Sequence, residues 1–316
     1  MSSGPAPVSP AAAGRPVKPG PAAEPSAKPP AKTSAKPALF ARLIKVEHSV
    51  FALPFAYAGA FLARPGWPGW DNLIWITVAM VGARSAAMAL NRLIDAKIDA
   101  RNPRTAAREL PAGRLRRGEV ALFTLISVAV LVLAAFNLSP PCRYLWPIPV
   151  AAFVLYPYLK RFTALCHYGL GLTDGLAPAA AWVAVTGHLS WSPVLLFLGV
   201  GLWVGGFDII YAVFDIDFDR REGIHSVPVA LGERAALRIA ALSHLAALAV
   251  LFAVGFLLHL HLIYFAGMTV VTGLLAWSNL DIARRGLDRV GMRFMTANSV
   301  VGLVYGAVAV VAALLV

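Results

Sequence analysis

Long apolar stretches, separated by short polar segments, make up most of the chain after about residue 40. Nine of them are roughly 17 to 25 residues long, the length that a helix needs to cross a bilayer. Their approximate bounds are 44–63, 72–95, 119–138, 141–159, 168–187, 193–214, 235–258, 261–279 and 295–316. In the fourth stretch, Pro147, Pro149 and Pro157 predict a kink. The pattern therefore predicts an all-α polytopic membrane protein with about nine transmembrane helices.

Composition supports this class of protein. The chain is 59% hydrophobic and 14% charged, with a mean hydropathy of +0.69, whereas about a quarter of the residues of a soluble domain are charged. Cys142 and Cys166 are far apart and have no metal-ligand spacing. We therefore interpret both cysteines as packing residues rather than as a disulfide framework or a metal site.

The first 38 residues differ from the rest in being rich in Pro, Ala, Lys and Ser. Such a segment cannot bury enough apolar surface to offset its ordering entropy, and it lacks the apolar core of a signal peptide. We predict a disordered basic tail at 1–38 and a transmembrane domain at 39–316. An alternative role for the tail is contact with anionic lipid.

Basic residues give the chain a formal net charge of +12 and follow the even-numbered apolar stretches. Nucleic acid is one partner that such a charge suggests, but positively charged cytoplasmic loops explain it without any nucleic acid. The odd-numbered loops contain little beyond Arg64 and Arg143. The even-numbered loops contain Lys97, Arg101, Arg104, Arg108, Arg114, Arg116 and Arg117; Lys160 and Arg161; Arg220, Arg221 and Arg234; and Arg284, Arg285, Arg289 and Arg293. This asymmetry predicts that the N-terminus and every even-numbered loop lie in the cytoplasm, with the C-terminus outside. The location that we expect for this multi-pass protein is the bacterial plasma (inner) membrane.

The second apolar stretch ends in a set of oxygen-bearing side chains, Asn91, Asp95 and Asp99. Their i, i+4, i+8 spacing places them on one face of a helix. Arg104 and Arg108 follow in a loop with Pro and Gly, and arginine binds phosphate oxygens through paired hydrogen bonds. The alternative is a helix end whose charges are only solvated.

A second acidic set closes the sixth stretch and consists of Asp208, Tyr211, Asp215 and Asp219. The spacing again selects one helical face, with Asp217 on the opposite side. Asp208 lies deepest, where a carboxylate needs a partner. Two acidic faces at the cytoplasmic ends of their helices indicate a shared site, open to the cytosol, for hard cations. Magnesium is such a cation and is often bound together with substrate phosphates.

Several other residues are weaker candidates. Tyr156 and Lys160 share a helical face, where the lysine either reaches a phosphate or anchors the helix at the membrane surface. Asp174 in the fifth stretch either serves the site or hydrogen-bonds across helices. Lys45, Glu47 and His48 either place a base near a substrate or form a charged helix start. The remaining histidines share no spacing, so we assign them no metal.

At these residues the chain resembles the UbiA-type intramembrane aromatic prenyltransferases. The resemblance covers roughly residues 40–316 and rests on the motifs Asn91-x-x-x-Asp95-x-x-x-Asp99, Tyr156-x-x-x-Lys160 and Asp208-x-x-Tyr211-x-x-x-Asp215-x-x-x-Asp219. It implies helices around a central cavity that opens to the cytoplasmic side. It also implies Mg²⁺-dependent transfer of a polyprenyl group from a polyprenyl diphosphate to an aromatic acid, in quinone biosynthesis.

The resemblance also implies a role for each motif residue. Asp208 would orient or deprotonate the acceptor hydroxyl, and Lys160 would act on the diphosphate. The residues expected to hold the metal ions are Asn91, Asp95, Asp99, Asp215 and Asp219. The residues expected to bind substrate are Asn91, Arg104, Arg108, Tyr156, Lys160 and Tyr211.

The acceptor remains open between two kinds of acid. The chain is similar to 4-hydroxybenzoate polyprenyltransferases, but Lys45-Val-Glu47-His48 and Gly223-Ile-His225-Ser226 depart from that group. Both departures are similar to a branch linked to menaquinone made by the futalosine route, which implies a dihydroxynaphthoate-type acceptor.

Two other classes of membrane protein fit the sequence less well. A secondary transporter would place its acids near the bilayer midplane, not at one surface beside arginines. A CDP-alcohol phosphotransferase would require an Asp-Gly-x-x-Ala-Arg core, and the chain has none. The sequence specifies neither the prenyl length nor the oligomeric state.

Overall fold

The computed structural model describes residues 35–64, 66–287 and 293–316, which contain helices and no strands. We number the helices in chain order. They are α1 Lys36–Leu43, α2 Val46–Leu62, α3 Trp70–Arg101, α4 Arg117–Phe136, α5 Cys142–Leu145, α6 Pro147–Leu159, α7 Cys166–Thr186, α8 Trp191–Val213, α9 Ile216–Glu222, α10 Val227–Leu231, α11 Glu233–Leu257, α12 Leu262–Arg285 and α13 Arg293–Leu314.

The predicted apolar stretches coincide with helices, but they do not all meet the requirements for a membrane span. Within the described residues, six helices are long and apolar enough to cross a membrane: α3, α4, α8, α11, α12 and the Thr296–Leu314 part of α13. The all-α prediction is confirmed, whereas the number of nine spans stays a prediction. The 1–38 tail lies almost entirely outside the described residues, and Lys36 already begins α1.

The fourth apolar stretch is not one kinked helix. It is divided at Trp146 into the single-turn α5 and the 13-residue α6. Pro147 and Pro149 explain the division because a proline lacks the N–H that a continuous helix would need at these positions. The shortened α6 ends at Leu159, which leaves Lys160 as its C-cap.

Helix α3 extends further than the apolar pattern predicts. Its 32 residues correspond to about 48 Å at 1.5 Å per residue, more than the roughly 30 Å of a hydrocarbon core. The additional turns after residue 95 carry Asp99, so all of the first acidic set lies on one continuous helix. Hence the chain can hold this charged face at the end of a membrane-spanning helix.

Helices α7 and α8 approach each other closely. A Cβ atom on Gly171 would overlap the carbonyl oxygen of Gly201, and one on Gly175 would overlap that of Phe197. Small residues at a membrane helix interface permit this approach. The packing places the start of α7, which we predict to face the cytoplasm, beside the end of α8, where Asp208 lies.

Candidate active site

One cavity of about 520 Å³ lies at the charged ends of these helices. Every residue that the sequence motifs select lines it, although the motifs are far apart in the chain. They are Asn91, Asp95, Asp99, Arg104, Arg108, Tyr156, Lys160, Asp208, Tyr211, Asp215 and Asp219. The structure therefore brings the three motifs together, while the chemical role of each residue stays a prediction.

Asp95 is the most enclosed of the first acidic set, with its side chain 3% exposed. It accepts a hydrogen bond of 2.6 Å from the Lys160 Nζ and one of 3.1 Å from the Asn91 amide. The Arg161 guanidinium lies 3.2 Å from its other oxygen. The interaction joins α3 to the end of α6, and it pairs a predicted metal ligand with a predicted phosphate ligand.

Asp99 is paired in the same way with the loop that follows α3. Arg108 donates to its Oδ2 at 2.7 Å, and Arg92 lies 3.8 Å from the same oxygen. The loop folds back because the Thr105 hydroxyl donates to the carbonyl of Asp99 at 2.8 Å. Successive turns in this segment confirm the structured loop that its Pro and Gly predict.

The second acidic set does not share one continuous helix, so that prediction was wrong. Helix α8 ends at Val213, and Asp215 becomes the N-cap of the short helix α9. Asp208 and Tyr211 therefore lie on α8, and Asp219 lies on α9. The bend still leaves all four side chains on the cavity wall, because the two helices meet there.

Arg104 connects this bend with the loop that follows α3. Its guanidinium forms two hydrogen bonds with the Asp215 carboxylate and one with the Tyr211 hydroxyl. It also lies over the Tyr211 ring, 4.9 Å from the centroid. The Asn102 amide donates to Asp215 at 3.3 Å. A third predicted metal ligand is thus paired with a predicted phosphate ligand.

Asp219 has fewer partners than the other carboxylates. Burial, and after it the charge of Asp215, raise the pKa of Asp219 to about 6 against the opposing effect of the Lys160 charge. Gly223, with φ +66, ends α9 in the left-handed region that glycine tolerates. The chain then returns so that the His225 N–H donates to the Lys160 carbonyl at 2.7 Å. In contrast, Asp217 is 81% exposed, as its position on the opposite face predicts.

Two of the site's partnerships were not found from the sequence. The His167 Nδ1 lies 2.7 Å from the Asp208 Oδ2, and Arg84 on α3 lies 3.6 Å from Asp174 on α7. The Arg84 Nε is buried and lacks a hydrogen-bond partner in the described part of the chain. The signal available in the sequence was an ionisable residue at membrane depth, which needs a partner; spacing alone does not say which one.

Lys45 also lines the cavity, whereas the side chains of Glu47 and His48 lie outside the described residues. Lys45 is the N-cap of α2 and has a left-handed backbone, with φ +48. Burial, followed by the charges of Arg92, Arg108, Arg104 and Arg84, lowers the pKa of Lys45 to about 8. Cys166, interpreted from the sequence as a packing residue, lines the cavity and donates from Sγ to the His225 carbonyl.

The side chains of the cavity fit Mg²⁺ only if a bound anion supplies further ligand oxygens. Carboxylate and amide oxygens are the ligands that this hard cation prefers. Within the described residues, however, no three His, Cys, Asp or Glu side chains lie close enough to hold an ion by themselves. Oxygen atoms from a bound phosphate group would complete the coordination, as Mg²⁺ commonly requires.

The far side of the cavity is apolar. Its wall there includes Phe55, Met80, Phe153, Trp203 and Val204. The single cavity thus has a charged end and a hydrocarbon-like end, which is the shape that an amphiphilic molecule with an anionic head requires.

The helices and this cavity define an integral membrane protein with an internal, charged binding site. The model of the UbiA prenyltransferase family matches residues 52–300, and the chain belongs to this family of enzymes. Two curated relatives are named 4-hydroxybenzoate octaprenyltransferase. The one from Tolumonas auensis is 32% identical over 248 residues, covering 78% of this chain and 86% of the relative. The one from Klebsiella pneumoniae is 33% identical over 273 residues, covering 84% and 92%.

Solved structures of the family have the same fold. The apo structure of a UbiA homolog from Aeropyrum pernix superposes with a TM-score of 0.77 at 33% identity, covering 84% of this chain and 98% of that one. A UbiA homolog from Archaeoglobus fulgidus, bound to GPP and Mg²⁺, has a TM-score of 0.62 at 17% identity and covers 88% of this chain and all of that one. The same homolog has also been solved with Cd²⁺.

Proposed function

We propose that this prenyltransferase transfers a polyprenyl group from a polyprenyl diphosphate to an aromatic acid of the 4-hydroxybenzoate type, with Mg²⁺ as cofactor. The observation that carries the proposal is the pairing of acids and cations in the cavity. Asp95, Asp99 and Asp215 each bind one basic side chain that the motifs assign to phosphate: Lys160, Arg108 and Arg104. Both halves of a metal–diphosphate site thus lie within reach of each other.

In this proposal the ion pairs exchange partners when substrate binds. The three carboxylates would hold Mg²⁺ together with Asn91 and Asp219, and the three basic side chains would hold the diphosphate oxygens. Mg²⁺ would offset the negative charge that develops on the departing diphosphate. Arg104 remains stacked on Tyr211, so its guanidinium is already oriented, and Tyr156 borders the same space.

The transfer breaks one bond, forms another and releases one proton. The bond between the first prenyl carbon and the diphosphate oxygen breaks, and its electron pair leaves with the diphosphate. A ring carbon of the acceptor, activated by a hydroxyl, forms the new bond and loses its hydrogen as a proton. Asp208 would accept a hydrogen bond or the proton from that hydroxyl, since it lines the cavity and its side chain is 28% exposed. If Asp208 takes the hydroxyl proton, the hydrogen that leaves the ring carbon moves to the acceptor oxygen and re-forms the hydroxyl, so one proton is released in total.

The apolar end of the cavity supports a prenyl tail as the rest of the donor, and the bilayer is its source. The orientation of the protein belongs to the same proposal. The loops 102–116, 160–165 and 214–232 meet at the charged end through the Arg104–Asp215 and His225–Lys160 contacts. These loops are basic, which favours the cytoplasmic side of a bacterial plasma membrane.

Prenyl transfer by the purified full-length protein, with Mg²⁺ and a long-chain polyprenyl diphosphate, tests the proposal. Asp95→Asn keeps the shape of the side chain but removes its charge, and the product should then fall at least about a hundredfold, the effect typical of a lost transition-state contact. Asp217→Asn is the matched control, because this exposed carboxylate lies outside the cavity and its loss should leave the rate unchanged. Equal rates for both variants would contradict the proposed site.

A dihydroxynaphthoate-type acceptor is the second candidate, because His225 and Ser226 belong to the motif that departs from the 4-hydroxybenzoate group and both line the cavity. The two acids should therefore be offered in parallel. Product from 4-hydroxybenzoate alone supports the first candidate, and product from the naphthoate alone supports the second. Magnesium-dependent diphosphate binding without either product would point to a third aromatic acceptor. Absence of that binding would contradict the proposed metal–diphosphate site.

A further inference from the structure

His167 lies between the deepest carboxylate of the cavity and the backbone of a loop. On one side, its Nδ1 is 2.7 Å from the Asp208 Oδ2. On the other side, the Val227 N–H donates to its Nε2 at 3.2 Å. The residue itself is 3% exposed. Both ring nitrogens therefore have partners, and neither partner is a substrate.

The two contacts together define the tautomer. A nitrogen that accepts from a backbone N–H must present its lone pair, so Nε2 carries no proton. The ring proton then lies on Nδ1, which donates it to the Asp208 carboxylate. A second hydrogen bond that selects the tautomer in this way is how a histidine's role is commonly set.

We propose that His167 is a positioning residue: by donating from Nδ1 to Asp208 Oδ2, it aims the other oxygen of Asp208 at the acceptor hydroxyl. The inference rests on the proposed function. His167 keeps its own proton throughout. The hydroxyl proton of the acceptor goes to Asp208 Oδ1, an oxygen that no hydrogen bond within the described residues reaches. The hydrogen that leaves the ring carbon then re-forms the hydroxyl.

The same contact connects the acceptor end of the cavity with the second acidic motif. Val227 is the first residue of α10, and Ser226 is its N-cap. Three residues before Val227, the Ile224 N–H donates to the backbone carbonyl of Asp219, a predicted metal ligand, at 2.9 Å. One short backbone segment thus contacts Asp219 at one end and orients His167 at the other.

Three variants separate this role from simple packing. His167→Leu removes both hydrogen bonds. His167→Asn retains a donor where Nδ1 lies, because the asparagine amide branches at the same carbon. Val227→Pro removes only the N–H that selects the tautomer, and the first position of a helix tolerates proline. His188→Leu is the matched control, since His188 is exposed in the loop at the opposite end of α7.

Steady-state kinetics with the acceptor, and magnesium-dependent binding of the prenyl diphosphate, are measured for each variant. We expect kcat of His167→Leu to fall about ten- to a hundredfold, the worth of a hydrogen bond to a charged group. Diphosphate affinity should stay within about twofold, because His167 touches no predicted phosphate ligand. His167→Asn should recover most of the lost kcat. The kcat of Val227→Pro should lie between those of His167→Leu and His167→Asn. Equal kcat for His167→Leu and His167→Asn, or unchanged kcat in both, would overturn the proposal.

Nitrogen-15 NMR of histidine-labelled protein tests the geometry without any activity. The signal that disappears in His167→Asn should show a protonated Nδ1 and an unprotonated Nε2, and it should shift in Asp208→Asn. A proton on Nε2 would overturn the inference. If wild-type protein transfers to no acceptor while the NMR result holds, the proposed function fails and the His167–Asp208 contact stands.

Discussion

At the scale of single residues, the pair formed by Arg84 and Asp174 offers a test of the polar interior. The two side chains, 21% and 35% exposed, face the cavity at 3.6 Å, so water screens them only in part. We expect Asp174→Ala to lower the free energy of unfolding by roughly 1–3 kcal/mol, because it leaves a guanidinium without its counter-charge. Thermal unfolding in detergent measures the change.

A double variant that replaces both partners supplies the control for this prediction. Replacing both partners, as in Arg84→Met with Asp174→Leu, removes the charges together and should recover most of the lost stability. Asp217→Ala, at an exposed carboxylate, should change stability by no more than about 0.5 kcal/mol. A double variant that is less stable than Asp174→Ala would show that the pair does not act as a unit.

At this scale the sequence predicted the residues that line the site, but not all of the residues that pair with them. Asn91, Asp95 and Asp99 share a face by spacing alone, and the structure keeps them on one wall. The partner of Asp208 could not be derived, because His167 is separated from it by 41 residues and no short-range pattern connects them. Arg84 was missed since it lies inside an apolar stretch that was interpreted only as a membrane span.

At the scale of helices, the contact between α7 and α8 holds the acceptor end of the cavity in place. Gly171→Ala would place a Cβ against the Gly201 carbonyl oxygen and 2.8 Å from the Gly205 nitrogen. We expect a loss of about 1–3 kcal/mol from this overpacking, together with slower transfer, since His167 and Asp208 lie on these two helices. Unfolding and activity of the same preparation measure both effects.

Gly273→Ala is the matched substitution, because a Cβ at Gly273 in α12 meets nothing within 4 Å. It should be neutral or stabilising by up to about 1 kcal/mol, from helix propensity. If Gly171→Ala behaved like Gly273→Ala, the close approach of α7 and α8 would not matter to stability.

Some helix boundaries are marked in the sequence and others are not. No proline or glycine lies between Gly206 and Gly223 to mark the bend after α8, so the spacing predicts one continuous helix. The break at Phe214 and Asp215 is instead made by tertiary contacts, chiefly Arg104 and Asn102 binding Asp215. The division at Trp146, by contrast, follows from prolines that the sequence shows.

At the scale of the whole molecule, the charges of the cavity are balanced. The described residues that line it include six acids and six basic side chains. They are Asp95, Asp99, Asp174, Asp208, Asp215 and Asp219, with Lys45, Arg84, Arg92, Arg104, Arg108 and Lys160. A diphosphate alone adds negative charge to a neutral site, and a divalent cation alone adds positive charge. Only the two together leave the balance nearly unchanged.

This balance predicts that Mg²⁺ and prenyl diphosphate stabilise the protein synergistically. Either ligand alone must break ion pairs such as Arg108–Asp99 and leave one partner uncompensated, so its effect on Tm should be small. Together they allow each partner to exchange, and at a hundredfold excess over Kd they should add about 2.7 kcal/mol to the free energy of unfolding. Asp215→Asn should abolish the synergy and Asp217→Asn should retain it. A full Tm shift from diphosphate without metal would contradict the exchange, because the cations alone would then suffice to bind it.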